Sequence, residues 1–168
     1  SMRGIPVFTF INKLDRETKD PFDLIQELED VLGLPSVPVT WPIGCGLNFQ
    51  GIYDILKNQV ILYKANKTIS LGDDGVFGDQ LENEISGFNL KALRDEIELI
   101  QGAGNPFDME AISQGKLSPV FFGSALADFG TVPFLEHFLD MSPSPGPRKT
   151  VDGIVNPDDD FFSGFIFK

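Results

Sequence analysis

Residues 5–11 (IPVFTFI) form an almost continuous apolar run rich in branched and aromatic side chains. That pattern predicts a strand covered on both faces within a parallel sheet. The run delivers Asn12-Lys13-Leu14-Asp15 at its carboxyl end. Asp20 then reads as a helix cap with Pro21 in the first turn, and Phe22, Ile25, Leu28 and Leu32 recur at helical spacing before Gly33. In residues 38–43 the alternation puts Val39, Trp41 and Ile43 on one face of a second strand. Pro38 and Pro42 remove ladder donors there, which suits a sheet edge.

Between residues 44 and 104 the simple strand–helix alternation breaks down, and this stretch reads as a mixed insertion. Residues 49–55 and 59–63 flank Lys57-Asn58 and predict a hairpin. Asn89 precedes a helix with Leu90, Leu93, Ile97 and Ile100 on its apolar face, ended by Gly102. Asn105-Pro106 predicts the start of a shorter helix, and residues 119–122 (PVFF) a second buried strand running into Gly123-Ser124-Ala125-Leu126. Thr131 caps a last helix with Val132, Leu135 and Leu139 turned inward, followed by a stiff SPSPGP linker at residues 142–147. The expected fold class is α/β, with a main unit over residues 1–147 and the start of a second unit over 148–168.

Composition adds bounds to this picture. The chain has 168 residues, 42% of them apolar, enough for one ordinary core. Its formal charge of −12 opposes a polyanion, so basic protein surfaces are the fitting neighbours rather than nucleic acid. One cysteine, Cys45, excludes an internal disulfide, and no apolar run approaches the roughly 18 residues of a membrane span. A soluble cytoplasmic protein is expected. Ser1-Met2 reads as a vector remnant. Residues 161–168 (FFSGFIFK) alternate like a strand with no turn after it, so both ends read as interior to a longer protein.

The chemistry sits at the two strand ends. Guanine presents two adjacent donors, at ring nitrogen one and the amino group, beside a carbonyl acceptor. A carboxylate such as Asp15 accepts both donors, whereas adenine sets an acceptor against the acid. Lys13 can lay its stem and charge over the ring, and Asn12 can hold the loop and approach the carbonyl side. N-K-x-D alone is equally well satisfied by a strand-exit turn. Ser124-Ala125-Leu126 supplies context, because it follows an apolar run where a doubly wound sheet opens its crevice. The Ala125 amide can donate to the guanine carbonyl, with Ser124 bracing Asp15 or the loop. By itself S-A-L is an ordinary small-residue turn.

NKLDR, IGCG (residues 43–46), FQGIYD (49–54), LRDEIELIQGAGNPFD (93–108), PVFFGSAL, the following DFG and SPSPGPR together resemble the bacterial peptide chain release factor 3 family of translational GTPases. The resemblance spans nearly the whole chain. Elongation factor G shares the general arrangement, but IGCG and FQGIYD are more similar to the termination factor. The resemblance implies the C-terminal part of a P-loop GTPase domain, with Asn12, Lys13 and Asp15 as the fourth guanine-nucleotide motif and Ser124, Ala125 and Leu126 as the fifth. It further implies GTP and GDP with magnesium in the parent, a ribosomal site of action, and removal of class-one release factors after peptide release. Residues 148–168 become the linker and first strand of a β-barrel domain. No G-x-x-x-x-G-K-[ST] phosphate loop occurs in the sequence, so no catalytic residue is assigned and this segment alone is expected not to hydrolyse GTP.

The remaining candidates have plainer readings. Cys45, between glycines and without a second ligand, reads as a tight-turn or buried thiol. His137 sits among Phe134, Leu135 and Phe138 with no metal partner at ligand spacing, a surface or core-edge residue. Asp73-Asp74-Gly75 and Asp158 to Asp160 lack calcium-loop spacing, and no metal is expected. Glu82, Glu84, Asp95, Glu96 and Glu98 are read as a solvent-facing acidic set. By analogy with elongation factor G this face suggests docking of a basic ribosomal stalk protein, which makes a non-catalytic interaction module the alternative function. An unpaired sheet edge also suggests self-association.

Overall fold

The computed structural model describes residues 5–65, 67–144, 146–151 and 153–164. Its fold is mixed α/β, with a three-stranded parallel sheet of order β1-β7-β2 beside a four-stranded antiparallel sheet of order β3-β4-β5-β6. Strand β1 is Thr9–Ile11, β2 Ser36–Pro38 and β7 Ser118–Phe122. The antiparallel meander is β3 Thr40–Ile43, β4 Gly51–Asp54, β5 Gln59–Leu62 and β6 Lys67–Ser70. The hairpin expected around Lys57-Asn58 is β4–β5, with Asp54 opposite Gln59. Of its flanking partners, β3 falls within the strand predicted over residues 38–43, and β6 was not apparent in the sequence pattern.

Helix α1, Pro21–Leu32, has the expected ends. The Asp20 carboxylate accepts the Phe22 amide at 2.8 Å, and Gly33 closes the helix at φ 61°, where glycine escapes the cost of a Cβ. Helix α2, Gly87–Ala103, begins earlier than predicted because Ser86, not Asn89, is its cap, and it ends against Gly104 rather than Gly102. Helix α3, Met109–Ser113, starts beyond Asn105-Pro106, where the Asp108 carboxylate accepts two first-turn amides. Helix α4 is Thr131–Met141, capped by Gly130 rather than by Thr131. A short hairpin, β8 Arg148–Lys149 with β9 Ile154–Val155, follows the linker. Residues 161–164 of the expected final strand are not in a strand, and residues 165–168 lie outside the described residues.

The single strand predicted over residues 38–43 is two strands in two sheets. β2 runs parallel to β7, with Ser36 opposite Ser118. After the Val39 amide bonds the Val120 carbonyl at 2.8 Å, the chain bends away and enters the meander as β3. At the departure the Thr40 hydroxyl accepts the Phe122 amide at 2.8 Å, replacing the carbonyl the ladder no longer supplies. The bend also divides the predicted face. Trp41 and Ile43 enter the larger core, and Val39 the smaller one. Both prolines lie on edge strands, where a missing donor costs no ladder bond.

Strand β7 is buried along its whole length because it faces both cores. Val120 and Phe122 point to the larger cluster around Trp41 and Ile52, and Phe121 to the smaller one with Ile112 and Met141. The α4 prediction is reversed. Val132, Leu135 and Leu139 are exposed, at 59%, 54% and 74%, while Pro133, His137 and Met141 are buried. Phe134 on the inner side meets Phe10 and Phe121 edge to face. His137 is not at a surface, since its Nε2 lies 2.9 Å from the buried Asp54 carboxylate on β4.

Candidate functional site

The parallel pairing of β1 with β7 places their carboxyl ends side by side, Ile11 opposite Phe122. The two loops predicted to read a base therefore leave the sheet together. They are then stitched to each other. Asn12 Oδ1 accepts the amides of Lys13, at 2.7 Å, and Ala125, at 2.8 Å. The Ser124 hydroxyl donates to Asp15 Oδ1 at 2.5 Å. Backbone bonds Gly123 N–H to Ile11 O and Leu14 N–H to Gly123 O complete the seam.

The turn itself needs unusual backbone. Lys13 sits at φ 73°, a conformation that costs a non-glycine residue of order 1 kcal/mol or more and persists only where neighbours impose it. Here the imposing neighbour is Leu14, whose side chain is 1% exposed and anchored in the larger core. On the other loop, a Cβ on Gly123 would stand 2.5 Å from the Phe129 carbonyl oxygen and 2.6 Å from Phe10 Cζ, so only glycine fits. Residues 124–129 close as a tight loop through reciprocal Ser124–Phe129 backbone bonds, leaving Leu126 at its apex, 83% exposed.

Asn12, Lys13, Asp15, Ser124, Ala125 and Leu126 are thus brought into one constellation. Asn12, Lys13, Ala125 and Leu126 are exposed, and Asp15 is partly so. The Ser124 hydroxyl bond holds the Asp15 carboxyl below its usual range, with smaller help from backbone, Arg16 and Lys13 against the opposing effect of desolvation. An ionised acid facing solvent beside an exposed lysine suits a planar ligand edge with two donors. The Ala125 amide, assigned above to a base carbonyl, instead donates to Asn12.

Sequence reasoning missed a third loop that backs this site. The Gly46 amide donates to the Leu14 carbonyl at 3.0 Å, from the start of the insertion. The glycines of Gly44-Cys45-Gly46 were the available signal, since both adopt positive φ, 73° and 54°. Cys45 between them is exposed, so of the two readings of this thiol the tight turn holds and the buried one does not.

Of the acidic set, Glu82, Asp95 and Glu98 are exposed, whereas Glu84 and Glu96 are partly buried. Glu96 Oε2 accepts the Trp41 indole N–H at 2.6 Å, and burial pushes its carboxyl up against that bond's opposite effect. Glu84 pairs with Lys67 and Asp95 with Lys91. Among the described residues no three His, Cys, Asp or Glu side chains group to hold a metal ion, and no helix is long and apolar enough to cross a membrane.

No protein-family model matches the chain. It is 49% identical over 169 aligned positions to peptide chain release factor 3 of Streptococcus pneumoniae strains Hungary19A-6, G54 (serotype 19F) and CGSP14, covering 99% of this chain. The chain spans about a third, 32%, of the length of these curated relatives. Among solved structures, ttk003000868 from Thermus thermophilus shares the fold, with a TM-score of 0.54 at 22% identity over 86% of this chain and 24% of the other. Along nearly all of its own length, and over about a third of theirs, the chain is similar to curated proteins named peptide chain release factor 3.

Proposed function

We propose that this chain is the guanine-reading part of a GTPase that acts in translation termination, promoting departure of class-one release factors from the ribosome. The observation that carries the reading is the stitched pair of loops, with Asp15 braced by Ser124 and Asn12 bridging to Ala125. The relationship to release factor 3 supplies the cellular role. Asp15 accepts the two donors of guanine, Lys13 covers the ring, and the Ala125-Leu126 side faces the carbonyl edge. GTP or GDP is the ligand of the whole protein. No step is assigned to magnesium within this chain. Hydrolysis belongs to residues outside this sequence, which reads the base without cleaving the phosphate, and residues 148–168 open the next domain.

The test uses a chimera in which this chain replaces the homologous third of S. pneumoniae release factor 3. Asp15→Asn presents an amide donor to the base, so preference shifts from GDP toward XDP, whose carbonyl accepts it. Guanine selectivity unchanged in competition binding would remove Asp15 from this role. The second reading, a module docking a basic stalk protein, has less free charge to work with, since Glu96 is turned to Trp41 and Glu84 and Asp95 are paired with Lys67 and Lys91. It retains Glu82, Asp95 and Glu98 as exposed acids.

A further inference from the structure

Asn89 is a polar side chain on α2, 5% exposed, far in sequence from either base-reading loop. Its Nδ2 donates to the Asn48 carbonyl and to Gln50 Oε1, both at 2.8 Å. Gln50 Oε1 is held in turn by the Ser86 amide and hydroxyl at 3.1 Å each, at the cap of the same helix. Gly44 packs so closely here that a Cβ would lie 2.3 Å from the Asn48 oxygen and 2.8 Å from Asn89 Nδ2. Asn89 thus fixes one end of the short 3-10 turn Gly46–Asn48, which is closed by the Asn48 amide on the Cys45 carbonyl at 3.0 Å.

The other end of that turn is the Gly46 amide on the Leu14 carbonyl. A Cβ on Gly46 would stand 3.2 Å from the Glu17 amide nitrogen, so turn and base-reading loop are in close contact as well as bonded. The Leu14 carbonyl belongs to the peptide plane that carries the Asp15 nitrogen. Fixing that plane fixes the direction in which the Asp15 side chain leaves the backbone. Ser124 orients the carboxylate from the front, and the Gly46 turn orients its backbone from behind.

We infer that Asn89 is a positioning residue for base reading, acting through the Gly46–Asn48 turn on Leu14 and hence on Asp15. The inference rests on the guanine assignment above. It makes α2 of the insertion part of the specificity apparatus, although α2 contributes no contact to the base.

IDP lacks the amino group that forms the second donor to Asp15, so the ratio of GDP to IDP affinity reports how well that carboxylate is aimed. In the chimera described above, Asn89→Ala lowers this ratio by about two- to tenfold, the range expected for one hydrogen bond made imperfect. Gly46→Ala lowers it in the same direction. Val60→Ala, a fully buried change in the meander outside the relay, lowers stability but leaves the ratio unchanged. Asp15→Asn, measured alongside, abolishes the preference. A wild-type ratio in Asn89→Ala while Asp15→Asn loses it overturns the positioning role and leaves base reading intact. An equal fall in Val60→Ala also overturns it, because the ratio would then track stability alone. If Asp15→Asn keeps the wild-type ratio, or the chimera binds no guanine nucleotide, the base assignment falls and takes this inference with it.

Discussion

Asp15 is held in place before any ligand arrives. Its Ser124 hydrogen bond favours the ionised form, so the contribution of this contact to stability is complete above the unfolded carboxyl pKa and is lost as pH falls through the lowered folded value. Ser124→Ala removes the largest lowering influence, and the Asp15 carboxyl should then titrate at higher pH. Carboxyl carbon shifts across an acid titration read this directly; an unmoved midpoint would mean that the hydroxyl does not bind the acid in solution. The same residue scale explains what the sequence reveals of the site. N-K-x-D and S-A-L are legible because each is local and follows an apolar run. The Asn12–Ala125 bond is not, since it spans 113 positions and diverts an amide that base chemistry alone assigns to the ligand. The His137 contact with Asp54, 83 positions apart, leaves no trace in spacing either.

Among the elements, those whose signals are local are read best. Helix α1 carries Asp20, Pro21 and Gly33 at its ends, and the structure uses each as expected. Helix α4 is apolar around most of its circumference, so Val132, Leu135 and Leu139 fit helical spacing as well as Phe134, His137 and Met141 do. Only packing against β7 selects the second face. Met141→Ala should therefore cost about 2–5 kcal/mol, as a buried methionine truncation does. Leu135→Ser on the exposed face should stay within about 0.5 kcal/mol of wild type. Urea unfolding of both variants decides which face is inner, and equal losses would contradict the packing described. The split of residues 36–43 between two sheets is beyond any local signal, because the bend is imposed by Val120 and Phe122 on another strand.

Across the whole molecule, β1 pairs with β7 on one side and with no strand among the described residues on the other. The exposed stripe on α4 adds apolar surface. Both favour self-association, while the formal charge of −12 opposes it. Salt screens the repulsion without weakening apolar contact, so the weight-average mass of the 168-residue chain should rise with protein concentration, and more steeply at higher ionic strength. Sedimentation equilibrium at two salt levels measures this, and a monomer under every condition would refute it.

The bend at Val39 bears on whether the meander can be removed from this architecture. The strand that opens the meander also supplies, through the Thr40 hydroxyl, the acceptor for a buried amide of the central parallel strand. Trimming the chain from Thr40 onward would orphan that amide, at about 1–3 kcal/mol, and empty the larger core of Trp41 and Ile43. The meander is not a detachable module. Shortening it with least injury to the base-reading sheet requires keeping β3 to β5 and the Gly46–Asn48 turn and confining cuts to β6, the largely exposed outermost strand.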